Sequence, residues 1–109
     1  MSNRNPSLLV SDMIESAEKI ISYTDGFSFE AFINDGKTAD AVIRNFEIIG
    51  EAANRLPEAF KAAHPQIEWS TLRGFRNRIV HDYFGIDYSI VWNIIINYLP
   101  GLIRSLKGI

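Results

Sequence analysis

Apolar residues recur at helical spacing from one end of this chain to the other. In "NPSLLVSDMIESAEKIISYT", residues 5–24, Val10, Ile14, Ala17 and Ile21 fall on one stripe, Asn5 stands at the capping position and Pro6 suits the first turn. Asp25-Gly26 closes that helix. "SFEAFIND" predicts a short helical turn opened by Ser28 and broken by Asp35-Gly36. Thr38 is then the expected cap of a long helix in which Val42, Phe46, Ile49, Ala53 and Leu56 share a face. Pro57 stops it and opens a short helix that runs towards His64-Pro65. "EWSTLRGFRNRIVHDY", residues 68–83, reads as a further long helix from a Ser70 or Thr71 cap, with Leu72, Phe75 and Ile79 turned inward and an end near Gly85. Asp87 caps the last helix, where Ile90, Ile94, Tyr98 and Leu102, or Val91, Ile95 and Leu102, supply a broad apolar face. Pro100-Gly101 lies inside that stripe and kinks it, because Leu102, Ile103 and Leu106 carry it on.

Four long helices and two short ones with short connections predict an all-α, antiparallel up-and-down helical bundle that takes in residues 1–109 as one domain. No repeat or flexible linker divides it. One segment exceeds what a bundle requires: "IVWNIIINYL", residues 90–99, is apolar almost all round. Either a second copy of the chain covers the excess, making a homodimer, or this helix is central in the bundle.

Composition narrows the function. At 109 residues a chain buries roughly two thirds of its unfolded surface, so the core needs no disulfide or metal. Cysteine is absent, which excludes a thiolate nucleophile and sulfur-ligated metal sites and fits a reducing, cytoplasmic setting. The N-terminus lacks the apolar stretch of a secretory leader, and no run approaches the ~20 apolar residues that span a bilayer, so no membrane role is expected. With 13 acidic and 11 basic side chains the net charge is -2, the wrong sign for a protein that coats nucleic acid generally. Any nucleic-acid role is therefore local. No carboxylate occurs between Glu68 and Asp82, and that gap holds Arg73, Arg76, Arg78 and His81.

Within this basic island Arg78 and Asp82 are four apart, an ordinary surface ion pair worth a few tenths of a kcal/mol. Arg73, Asn77 and His81 are also spaced by four, so a continuous helix would stack guanidinium, amide and imidazole in one column suited to phosphate. The metal-free chemistry open to such a set is transesterification in RNA, with the histidine moving the proton and a guanidinium stabilising phosphoryl charge. Arg76 and His81 are five apart, about 140° around a regular helix. Either the helix loosens before His81, or two chains combine their motifs across a cleft. Other chemistries find no support: His64 is isolated, and there is no phosphate loop or nucleophile elbow, so neither metal nor cofactor is expected.

"RNRIVHDY", residues 76–83, has the form R-x4-H-x-Y, and it resembles the motif of the HEPN superfamily, specifically the HepT-like toxins. "RNFEIIGEAANRLP", residues 44–57, also resembles the central-helix segment of these proteins. The resemblance implies a homodimeric, metal-independent endoribonuclease with Arg76 and His81 as catalytic pair and motifs of both subunits in one cleft. Asn77 would then support the phosphate or orient the histidine; Arg73 is a candidate phosphate contact from its place in the column, independently of the resemblance. It further implies that Tyr83 accepts AMP from an MntA-like nucleotidyltransferase antitoxin. The alternative is a non-catalytic HEPN-like subunit that binds a nucleotide or docks the nucleotidyltransferase. In the central segment, Gly50 suggests a close helix contact, within the chain or at the dimer, and Glu51 either pairs with an arginine near the cleft or is solvated.

Overall fold

In a computed structural model of the chain, residues 5–81 and 85–109 are described, His81 by its backbone alone. Helix α1 (Pro6–Thr24) starts as its sequence indicates: the Asn5 side chain accepts from the Ser7 N–H and Pro6 occupies the first turn. Its buried face is Leu9, Val10, Met13, Ala17 and Ile20. Ile14 and Ile21 of the expected stripe are only partly buried, because α1 packs against two neighbours, α3 and α8, and the buried face is centred one position earlier.

Helix α2 (Phe29–Ile33) begins at Ser28, whose hydroxyl accepts from the Ala31 N–H. Helix α3 (Gly36–Arg55) is capped by Asp35 rather than Thr38: the carboxylate accepts the Thr38 N–H at 3.1 Å. The carboxylate is the stronger acceptor and lies three residues earlier. Helix α4 (Glu58–Ala63) follows Pro57. Lys61, only 6% exposed, ties α4 to α3 by donating to the Ala53 carbonyl at 3.3 Å, and it pairs with Glu58 of its own helix at 3.1 Å. That ammonium satisfies one of the carbonyls that a helix end leaves open.

The largest departure from the sequence-based expectation falls on residues 68–83. No single long helix forms there. Helix α5 (Trp69–Arg73) follows Glu68, without a Ser70 or Thr71 cap, and stops at Gly74; helix α6 (Phe75–Ile79) then gives way to β1 (Val80–His81), which pairs antiparallel with β2 (Gly85–Ile86). Ile79 and Val80 are β-branched and take extended backbone readily, and Val80 does so at φ -99°, ψ 123°. Gly85 sits at φ +79°, which an L side chain rarely adopts, and it pairs with His81 in the ribbon.

Helix α7 (Tyr88–Asn97) is capped by Asp87, which accepts from the Ser89 and Ile90 N–H groups, and a bend at Tyr98 leads into α8 (Leu99–Lys107). The break precedes Pro100 by two residues, as a missing proline N–H requires. The apolar excess of α7 is largely absorbed inside the chain: Val91, Ile94 and Ile95 are buried, and Trp92 packs on Phe29 and Phe32 of α2. Ile96 remains outside at 53% exposure. The fold is all-α apart from the two-residue ribbon, and none of the described helices is long and apolar enough to cross a membrane.

Candidate active site

Three aromatic side chains build the platform beneath the basic island. Phe75 is 1% exposed and meets Phe46 of α3 edge-on at 5.3 Å and Tyr98 at 5.8 Å. Such rings contribute burial and about 0.5–1.5 kcal/mol more from their geometry. Tyr98 is in turn held by Glu68, to which its hydroxyl donates. Burial first, then the Glu68 charge and that hydrogen bond, push the phenol up to about 12, against an opposing effect of Arg78. The hydroxyl therefore stays protonated at neutral pH and keeps its donor; its contribution to stability is complete below pH 10 and is lost only as pH rises towards 12.

On this platform Arg76 projects towards α3, 70% exposed, with Nε 4.0 Å from Glu47. Arg73 is 4.0 Å from Glu58. Both line one groove of about 570 Å³ between α3 and the α5–α6 segment. Its floor is a close helix approach: a Cβ on Gly50 would stand 3.2 Å from the Leu72 carbonyl oxygen. Gly50 thus marks a tight contact, and that contact is made within the chain. Glu51 does pair with an arginine, Arg55, at 3.2 Å, and both line the same groove.

Of the residues singled out in the sequence, the structure brings Arg73 and Arg76 together. Asn77 is exposed but lies off the groove wall. The expected column of Arg73, Asn77 and His81 does not form, because the helix ends at Ile79 and His81 belongs to β1. This removes the 140° separation, which assumed an unbroken helix. The His81 side chain, together with Asp82, Tyr83 and Phe84, lies outside the described residues. His64 stacks against Phe60 at 4.6 Å, and among the described residues no cluster of three metal-ligating side chains occurs.

The structure adds residues that sequence reasoning passed over. Arg44, Glu47 and Arg55 of α3 line the groove opposite Arg73 and Arg76. Their signal was present: positions 44, 47, 51 and 55 follow i, i+3, i+7, i+11 and share a helix face next to the buried stripe.

Comparison with known proteins gives the chain a family setting. The family model described as ribonuclease HepT-like matches residues 13–109. A candidate RNase of Methanocaldococcus jannaschii is 42% identical over 98 residues, 90% of this chain and 81% of its own. A "Probable ribonuclease HepT" of Thermococcus cleftensis is 41% identical over 97 residues, covering 89% of this chain and 84% of that protein. A candidate RNase of Caldanaerobacter subterraneus is 34% identical over 106 residues, 97% of this chain and 95% of its own. No solved structure matches the chain.

Proposed function

The chain belongs to the HepT-like ribonuclease family of the HEPN superfamily, and from that membership we propose that it is a metal-independent endoribonuclease toxin, active as a homodimer and silenced by AMP transfer to Tyr83. The observation that carries this reading is the shared presentation of Arg73 and Arg76 in one groove beside the Phe46–Phe75–Tyr98 platform, with His81 two positions past the end of α6, the helix that holds Arg76.

In the proposed reaction a ribose 2'-hydroxyl attacks the adjacent phosphorus and the 5'-oxygen leaves. His81 takes the 2'-hydroxyl proton and returns a proton to the departing oxygen, so that a 2',3'-cyclic phosphate and a 5'-hydroxyl result. Arg76 stabilises the charge that builds on the phosphoryl oxygens, a guanidinium being suited to paired contacts with phosphate. Arg73 supports the phosphate from the groove, and Asn77 supports it or orients the histidine from the helix surface. A second subunit would complete the cleft. Silencing follows from the same electrostatics: the Tyr83 hydroxyl attacks the α-phosphorus of ATP, pyrophosphate leaves, and the new phosphate beside an anion-binding groove repels RNA. The enzyme for that transfer is the MntA-like nucleotidyltransferase partner.

The test is cleavage of a mixed RNA pool in EDTA by protein of verified intact mass. Cyclic phosphate ends are expected, and they should vanish with Arg76→Ala. One observation favours a second reading, a non-catalytic subunit that docks the nucleotidyltransferase: carboxylates stand beside the groove arginines, as at Glu47. Unmodified protein that leaves RNA intact would favour that subunit. Tyr83→Phe should cleave RNA at the wild-type rate yet incorporate no AMP when incubated with the nucleotidyltransferase and labelled ATP. Label appearing in the phenylalanine variant would mean that another side chain is the acceptor.

A further inference from the structure

The groove extends well past Arg76. Arg44 and Arg55 both line it, and they lie eleven residues apart on α3, about 16 Å along the helix axis. Glu47, the residue beside Arg76, falls between them in the register of that helix. Arg76 therefore stands between two outer arginines. Such a span accommodates more than one phosphate even for a strand with phosphates several ångströms apart. The aromatic side chain on the groove wall, Phe46, is only 2% exposed and offers no stacking surface.

We infer that the groove is a backbone track for a single RNA strand, with Arg44 and Arg55 of α3 contacting phosphates on either side of the one held by Arg76. The inference rests on the ribonuclease reading and adds to it the path of the substrate. The track grips phosphates and stacks no bases, because its cationic contacts are guanidiniums and no exposed aromatic side chain lines it among the described residues. Its carboxylates set the strength of that grip. Glu51 holds Arg55 at 3.2 Å and Glu47 faces Arg76, so phosphate displaces internal ion pairs, and the four arginines face three carboxylates, Asp12 included. A near-balanced groove of this kind binds RNA weakly at physiological salt and selects a strand that engages several arginines at once.

The probe is a fluorescent pool of random 20-nucleotide strands with every 2'-hydroxyl methylated, which binds without being cleaved. Affinity is measured against salt concentration for wild type, Arg44→Gln, Arg55→Gln and Glu51→Gln, all at exposed positions. Each arginine variant is expected to lower the slope of log affinity against log salt by about 0.7, the loss of one single-strand phosphate contact. Glu51→Gln should tighten binding, because it removes a negative charge 3.2 Å from the Arg55 guanidinium. Wild-type slopes in both arginine variants, from a protein that still cleaves RNA, would overturn the track and leave the ribonuclease reading intact. Failure of the wild type both to bind this pool and to cleave ordinary RNA would overturn the two together.

Discussion

Cleavage by the His81→Ala protein is expected to fall by about 10²- to 10⁴-fold, the range that a positioned proton-transfer group supplies. Stability should hold, because the ribbon around position 81 depends on backbone groups and on Gly85, and alanine preserves the N–H, the carbonyl and Cβ. The pairing of Val80 with Ile86 and the 2.8 Å hydrogen bond from the Asp87 N–H to the Ile79 carbonyl anchor that ribbon without the imidazole. The measurement is single-turnover cleavage of a labelled RNA alongside a thermal melt. An alanine variant that cleaves at the wild-type rate would remove His81 from the mechanism. Lost cleavage with a collapsed melt would instead assign it a structural role.

Phe75→Ala is expected to cost about 3–5 kcal/mol, as for other buried phenylalanines truncated to alanine. For a chain near 100 residues that corresponds to a melting temperature at least ~12 °C lower. The reason is specific to the site. Phe75 is 1% exposed and joins Phe46 to Tyr98, so its removal leaves a cavity under the segment that presents Arg73 and Arg76. RNA affinity should fall with it, whereas Phe75→Leu, which retains most of the volume, should recover most of both. Chemical denaturation of the three proteins decides: a loss below about 1 kcal/mol for alanine would mean that the platform does not support α6 as packed.

The candidate site residues were more legible in the sequence than the geometry that presents them. Arg73 and Arg76 stood out because they are grouped in a gap without carboxylates, and charge spacing needs no coordinates to be read. Gly50 stood out as a glycine inside a helical pattern, but only the structure identified its neighbour as the Leu72 carbonyl. Arg44 and Arg55 were passed over because a charged stripe on a long helix reads as solvated surface until a second element comes to lie beside it. Helix α5–α6 makes that second wall, and nothing local to residues 44–55 announces it.

Local interactions decided most of the helices by themselves. Asn5, Ser28 and Asp87 cap where their short polar side chains reach a free N–H, and Pro57 and Pro100 act through a missing donor; these effects operate within four residues. Periodicity likewise marked Val42, Phe46 and Ile49 as core. Tertiary structure decided the fate of residues 74–81 and 85–86. Helical spacing of Leu72, Phe75 and Ile79 pointed to continuation, yet the backbone becomes extended at Val80, where pairing with Gly85-Ile86 satisfies its polar groups and suits a β-branched side chain. The same choice takes His81 out of the helix that holds Arg76. A pattern on one segment cannot reveal that outcome, since the competing hydrogen bonds come from a strand that follows it.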